Sequence, residues 1–144
     1  MSPSDVPFWD AVDRIREQDP RFRREAYGFL MLALGATVSD LPPARQADPT
    51  RRHLSGAELL RGLVEVARGE FGSMAGAVFT EWGVRGSADV AELVFQLVEC
   101  GQLSARPEDT REDFEGFDLM RMLAEGAAGN AKHPRRRGAP GGMA

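Results

Sequence analysis

Residues 55–72 read SGAELLRGLVEVARGEFG, and this stretch decides the fold class. Ser55 stands three residues before Glu58, which is the spacing of a capping box. In that motif the serine oxygen accepts the third helical N–H while the glutamate reaches back to the serine N–H. Leu59, Leu63, Val66, Ala67 and Phe71 then recur at helical spacing. Gly72 follows as a residue able to take positive φ where the helix stops. Start, apolar stripe and stop agree, so an amphipathic helix of four to five turns is predicted here.

The flanks carry the same signals. On the C-terminal side, Ser73 is expected to cap a short helix that buries Met74, Ala75, Val78, Phe79 and Trp82, with Gly83 ending it. Ser87 is expected to cap another that runs to about Cys100, with Val90, Leu93, Val94, Leu97 and Val98 inward and Gly101 closing it. A last short helix would hold Phe114, Phe117, Met120 and Leu123. On the N-terminal side, Pro42, Pro43 and Pro49 make Ser39 to Arg52 a loop, long enough to suggest a role of its own. Before it, Asp19 as cap and Pro20 as first residue would start a helix carrying Phe22, Ala26, Phe29, Leu30, Ala33 and Leu34 inward, with Gly28 marking a close helix approach. The first helix would run from Pro7 to Gln18 on Phe8, Val12 and Ile15.

These elements predict a mainly α, compact single domain of five to six helices over residues 1–125 and a disordered basic tail over 126–144. With 42% hydrophobic and 28% charged residues, the chain has the composition of a packed globular domain rather than a disordered one. Charge is divided unevenly. Residues 1–130 hold 14 arginines against 22 carboxylates, whereas Lys132, Arg135, Arg136 and Arg137 make the tail basic. One cysteine, Cys100, cannot form an internal disulfide. The first eight residues lack the basic and apolar regions of a signal peptide, and Phe29 to Val38, the longest apolar stretch, is too short to span a bilayer. The expected location is the cytoplasm, with no membrane partner.

The chemistry-bearing motifs are mostly missing. No phosphate-binding glycine loop, CxxC, HExxH or GxSxG is present, and the only histidines are His53 and His133. No metal ligand set and no cofactor are therefore expected, and no catalytic residue is assigned. His53, just ahead of the capping box, reads either as a loop histidine at the helix start or as the centre of a ligand site with Arg51, Arg52 and Glu58. Trp82 reads either as core or as a binding anchor. Residues 73–113 have the lengths of a helix-turn-helix with a winged-helix-like polar stretch after Gly101. Arg85, Arg106 and Arg111 flank its second helix, but that helix itself offers Asp89, Glu92 and Glu99 and no basic residue, which disfavours a phosphate backbone. The tail residues Lys132, His133 and Arg135 to Arg137 could touch nucleic acid or an acidic partner by charge alone. The carboxylates from Glu108 to Asp118 do not follow an EF-hand spacing and read as a solvated acidic face.

Several pieces, in order, carry a resemblance: Asp19-Pro-Arg21-Phe22 with Glu25-Ala26-Tyr27; His53-Leu-Ser55-Gly56 with Glu58-Leu59-Leu60; Phe71-Gly72 with Met74-Ala75; then Trp82-Gly83-Val84, Asp89, Val94-Phe95, Leu97-Val98 and Asp113-Phe114. Over roughly residues 8–118 the chain resembles a family of small, uncharacterised bacterial hypothetical proteins of the Planctomycetes and Verrucomicrobia type. It departs from that pattern at Gln102, where an apolar residue is expected, and in its Arg-rich tail. The resemblance implies no activity; it implies that residues 8–125 form one unit. The first expectation for function is a non-enzymatic protein-interaction or regulatory module whose partner is another protein. The alternatives are a winged-helix-like nucleic-acid binder and a small enzyme or ligand binder centred on His53.

Overall fold

The computed structural model describes residues 6–51, 53–104 and 109–131, with side chains described as far as residue 125. The fold is mainly α. Among the described residues the helices are α1 (Val6–Gln18), α2 (Arg24–Ser39), the single turn α3 (Pro43–Gln46), α4 (Gly56–Phe71), α5 (Ala75–Glu81), α6 (Ser87–Glu99) and α7 (Leu119–Ala131). Short 3-10 turns lie at Pro49–Arg51, Gly72–Met74 and Arg111–Phe114.

The capping box forms as its residues dictate. The Glu58 N–H donates to Ser55 Oγ at 3.1 Å, and the Ser55 N–H donates to Glu58 Oε1 at 3.0 Å. The helix so started is the centre of the domain. It packs most extensively on α2 and α7, and also meets α5, α6 and the Arg111–Phe114 turn. Leu60, Val64 and Ala67 are fully buried, and each fully buried Leu or Val contributes about 1.5–3 kcal/mol relative to an exposed one.

α2 and α4 run antiparallel, with Phe29 beside Phe71 at one end and Thr37 against Gly62 further along. A Cβ at Gly62 would overlap the Thr37 side chain, whose hydroxyl donates to the Ala33 carbonyl at 2.7 Å. Gly28 is also a contact point: a Cβ there would lie 2.8 Å from the Trp9 ring of α1.

Several boundaries differ from the sequence reading, each for a local reason. α2 starts at Arg24 rather than at Pro20. The Arg23 N–H donates to the Trp82 carbonyl at 3.0 Å and holds Arg23 extended, so residues 19–23 dock on the α5–α6 turn with Phe22 as a buried anchor. Gly83 in that turn has φ +91°, and a Cβ there would strike the Arg21 carbonyl. Ser73 does not cap α5. The chain passes through a 3-10 turn in which the Ala75 N–H already bonds the Gly72 carbonyl. Ser87 does not cap α6 either. Its buried hydroxyl donates to the Phe117 carbonyl at 3.3 Å, while Asp89 reaches back to the N–H groups of Arg85 and Gly86 at 2.9 and 3.2 Å. The expected loop over 39–52 contains α3, with Pro43 in its first turn, and the Pro49–Arg51 turn.

Phe114 and Phe117 do not belong to the last helix. Gly116, at φ +86°, separates the Arg111–Phe114 turn from α7, whose start is capped by Asp118 through the Arg121 N–H. α7 then continues through Ala131, beyond the expected boundary at 125, on a run rich in alanine, the best helix former. Residues 132–144 of the expected tail lie outside the described residues. No strand occurs among the described residues, so the described parts of 101–114 are a turn and a 3-10 helix rather than a β wing.

Two clusters fix the interior. Phe29, Phe71, Phe79 and Trp82 meet with ring centroids 5.4–5.9 Å apart. Trp82 is thus a partly buried member of the core. On the other side of α2, the buried Tyr27 hydroxyl donates to Gln96 Oε1 at 2.6 Å, and Gln96 Nε2 donates to Asp19 Oδ2 at 3.0 Å. Burial pushes the Tyr27 phenol up to about 12.

Candidate functional site

At the end of the α2–α4 pair away from the aromatic cluster, the packing opens into a cavity of about 230 Å³. Its walls are apolar. α2 supplies Leu34 and Val38, α4 supplies Leu59, and α6 supplies Val94 and Phe95. Leu54, Leu103 and Phe114 complete the lining. The polar groups are His53, Ser104, Asp109 and Asp113, beside the capped start of α4 at Ser55 and Gly56.

Each polar group is placed by its neighbours. His53 precedes the Ser55 cap, so the start of α4 fixes its backbone. Its Nε2 lies 2.5 Å from Asp109 Oδ2, a pairing across 56 residues that leaves both side chains about one-quarter exposed. Asp113 Oδ2 accepts the Thr110 N–H at 3.0 Å, which holds the carboxylate at the start of the 3-10 turn. The Asp113 main chain presses against Gly56, where a Cβ would come within 2.8 Å of the Asp113 carbonyl oxygen. The two segments flanking the cavity are therefore joined at two points, loop to loop at His53–Asp109 and loop to α4 at Gly56–Asp113.

A third device holds the segment leading into the site. From α3, Arg45 donates to Glu58 Oε2 at 2.6 Å, to the Arg51 carbonyl at 2.8 Å and to the His53 carbonyl at 3.2 Å. One guanidinium thus ties the loop before His53 to the first turn of α4. The hydrogen bond from Arg45, followed by that from the Ser55 backbone, holds the Glu58 carboxyl below its ordinary value. The same Glu58 raises Arg45 further above the usual guanidinium range.

No family model, curated protein or solved structure matches this chain.

The residues singled out in the sequence separate into distinct places. His53 lines the cavity. Glu58 does not join it there; it is taken by the capping box and Arg45 and faces a neighbouring groove with Asp40 and Arg61. Arg51 is exposed and contributes its carbonyl to Arg45. Arg111 pairs with Glu92 at 3.0 Å and lies over the Phe95 ring, 5.0 Å from its centroid. Arg85 is exposed in the α5–α6 turn. Arg52, Arg106, Lys132, Arg135, Arg136 and Arg137 lie outside the described residues. Among the described residues no group of three or more His, Cys, Asp or Glu side chains is arranged to hold a metal ion, and no helix is long and apolar enough to cross a membrane.

Three residues of this arrangement carry no local signal in the sequence. Asp109 and Asp113 read as members of an acidic surface run, and Arg45 as one more loop arginine. Only the tertiary fold brings Asp109 to His53 and Arg45 to Glu58.

Proposed function

We propose that the protein binds a small molecule with a single-ring apolar body in the His53 cavity. The observation that carries this reading is the hollow itself: eight apolar side chains line a space that none of them fills, with a few polar groups among them. Apolar walls with a few convergent polar groups are the usual make-up of a ligand site. About 150 Å³ already suffices for benzene, so the space fits one ring with a short substituent. His53, oriented by Asp109, and the nearby Asp113 are the polar groups that would fix the ligand, and the arrangement asks for no bond-breaking step.

The protein-interaction reading draws on less. The large apolar side chains exposed among the described residues are Val6, Leu32 and Met74, which sit on three separate elements rather than on one face. The nucleic-acid reading has Arg111 already held by Glu92, and an outer face of α6 with Glu92 and Glu99.

The test is a ligand-observed magnetic resonance screen of single-ring compounds on the full chain and on a Val94→Trp variant. Hits that bind the natural sequence and lose binding when the indole fills the cavity support the proposal. It fails if no compound binds, or if the hits bind the variant equally well while it stays folded.

A further inference from the structure

We infer that the ligand of the His53 cavity is a cationic amine carried on an aromatic ring, with its ammonium group at Asp113. This rests on the cavity being a binding site and adds the chemistry of its occupant. The argument begins with charge. The polar lining holds two carboxylates, Asp109 and Asp113, one imidazole and the neutral Ser55 and Ser104, and the imidazole is already engaged by Asp109. Two described guanidinium groups that touch cavity residues are spent there: Arg45 on Glu58 and two carbonyls, Arg111 on Glu92 and the Phe95 ring.

An anion could be sought at the start of α4, since helix N-termini attract negative charge. That terminus is closed to it. Ser55 and Glu58 satisfy each other through the capping box, Glu58 places a carboxylate there, and the Asp113 carbonyl is pressed against Gly56. Asp113 offers the opposite chemistry. Its Oδ2 is held by the Thr110 N–H, and the side chain is exposed, which leaves the carboxylate open to a donor from a ligand. A carboxylate on a built turn, at the edge of an apolar hollow, matches an ammonium donor. Phe95 and Phe114 in the walls, and a volume of about 230 Å³, match one aromatic ring on a short linker.

Three probes that share a phenethyl body separate the possibilities: phenethylamine, phenethyl alcohol and hydrocinnamate, titrated calorimetrically into the full chain and into Asp113→Asn. The asparagine keeps an acceptor for the Thr110 N–H, and a thermal melt checks that the variant is folded. The expected order is amine, then alcohol, then carboxylate, with about two- to fivefold between amine and alcohol for a pair at an exposed carboxylate. Asp113→Asn is expected to bring the amine down to the level of the alcohol and leave the alcohol unchanged. Carboxylate binding as tight as amine binding would overturn the inference while leaving the cavity a ligand site. A variant that weakens all three probes alike would also overturn it, because Asp113 would then act on the turn and not on the head group. If none of the three binds, and Val94→Trp still abolishes other hits, the amine assignment alone is lost; if nothing binds at all, the cavity reading falls with it.

Discussion

The α2–α4 pair has a filled end and a hollow end. Around Phe29 the rings of Phe71, Phe79 and Trp82 close the interior so well that only about 10 Å³ remains among Phe29, Leu63, Val84 and their neighbours. That is room for one water at most, against an apolar lining that offers it no partners. Around Val38 the same two helices spread over about 230 Å³. The composition of the walls is alike; the difference lies in what plugs them. The filled end is closed by side chains from α5, a helix that follows α4 after only a 3-10 turn. The hollow end is closed by loops, which bring polar groups and main chain alongside Leu54, Leu103 and Phe114. Packing quality therefore follows from what kind of element covers a gap, and a gap covered by loops is where binding chemistry can sit.

Substitutions can break this contrast in graded steps. Phe79→Ala at the filled end is expected to cost about 3–5 kcal/mol, as for other buried aromatics, read by urea unfolding. Gln96→Leu should cost about 1–3 kcal/mol, because it leaves the buried Tyr27 hydroxyl without its acceptor. Since burial raises the Tyr27 phenol to about 12, the stability it confers is complete below its ordinary value near 10 and is lost as pH rises through 12. A melting temperature that falls between those limits in the natural sequence, and falls less in Tyr27→Phe, is the corresponding measurement. Val94→Ala on the cavity wall should cost well under about 1.5 kcal/mol, since the side chain already borders empty space; a loss equal to that of Phe79→Ala would show that the hollow is packed in solution. The smallest effect concerns Glu58. Its carboxyl is held below 4.5, so the contribution of the Arg45 pair is present above that value and disappears as pH falls through the lowered one. Glu58→Gln should differ from the natural sequence by no more than about 1 kcal/mol at neutral pH, the range for a partly exposed pair, and the difference should close in acid.

The two ends were not equally legible in the sequence. Phe29, Phe71 and Phe79 fall on helical stripes, and the Ser55–Glu58 box announces α4, because local periodicity and local capping are properties of neighbouring residues. His53 stood out by its rarity and does line the cavity. Its partner did not stand out: Asp109 is 56 residues away, and nothing in an acidic run marks which carboxylate will meet an imidazole. The start of α2 was misplaced for the same reason. Asp19-Pro20 is a sound helix start by itself, and it is overruled by the hydrogen bond from Arg23 to Trp82, a contact that only the folded chain provides. The two helices at Ala75–Glu81 and Ser87–Glu99 were legible, whereas the turn at Gly116 and the extension of α7 to Ala131 carry no clear local signal.

Arg45 has a consequence for how the molecule breathes. None of the described residues from 41 to 54 is buried, and the ties of this segment to the rest of the domain include the Arg45–Glu58 ion pair and the His53–Asp109 contact. Regions with few buried contacts open in sub-global steps far below the free energy of complete unfolding. The amides of α3 and the Pro49–Arg51 turn should then exchange with deuterated solvent well ahead of those in α4, although Glu58 at the start of α4 is bonded directly to Arg45. The domain would have a slow-exchanging interior and a fast-exchanging segment at the edge of its cavity.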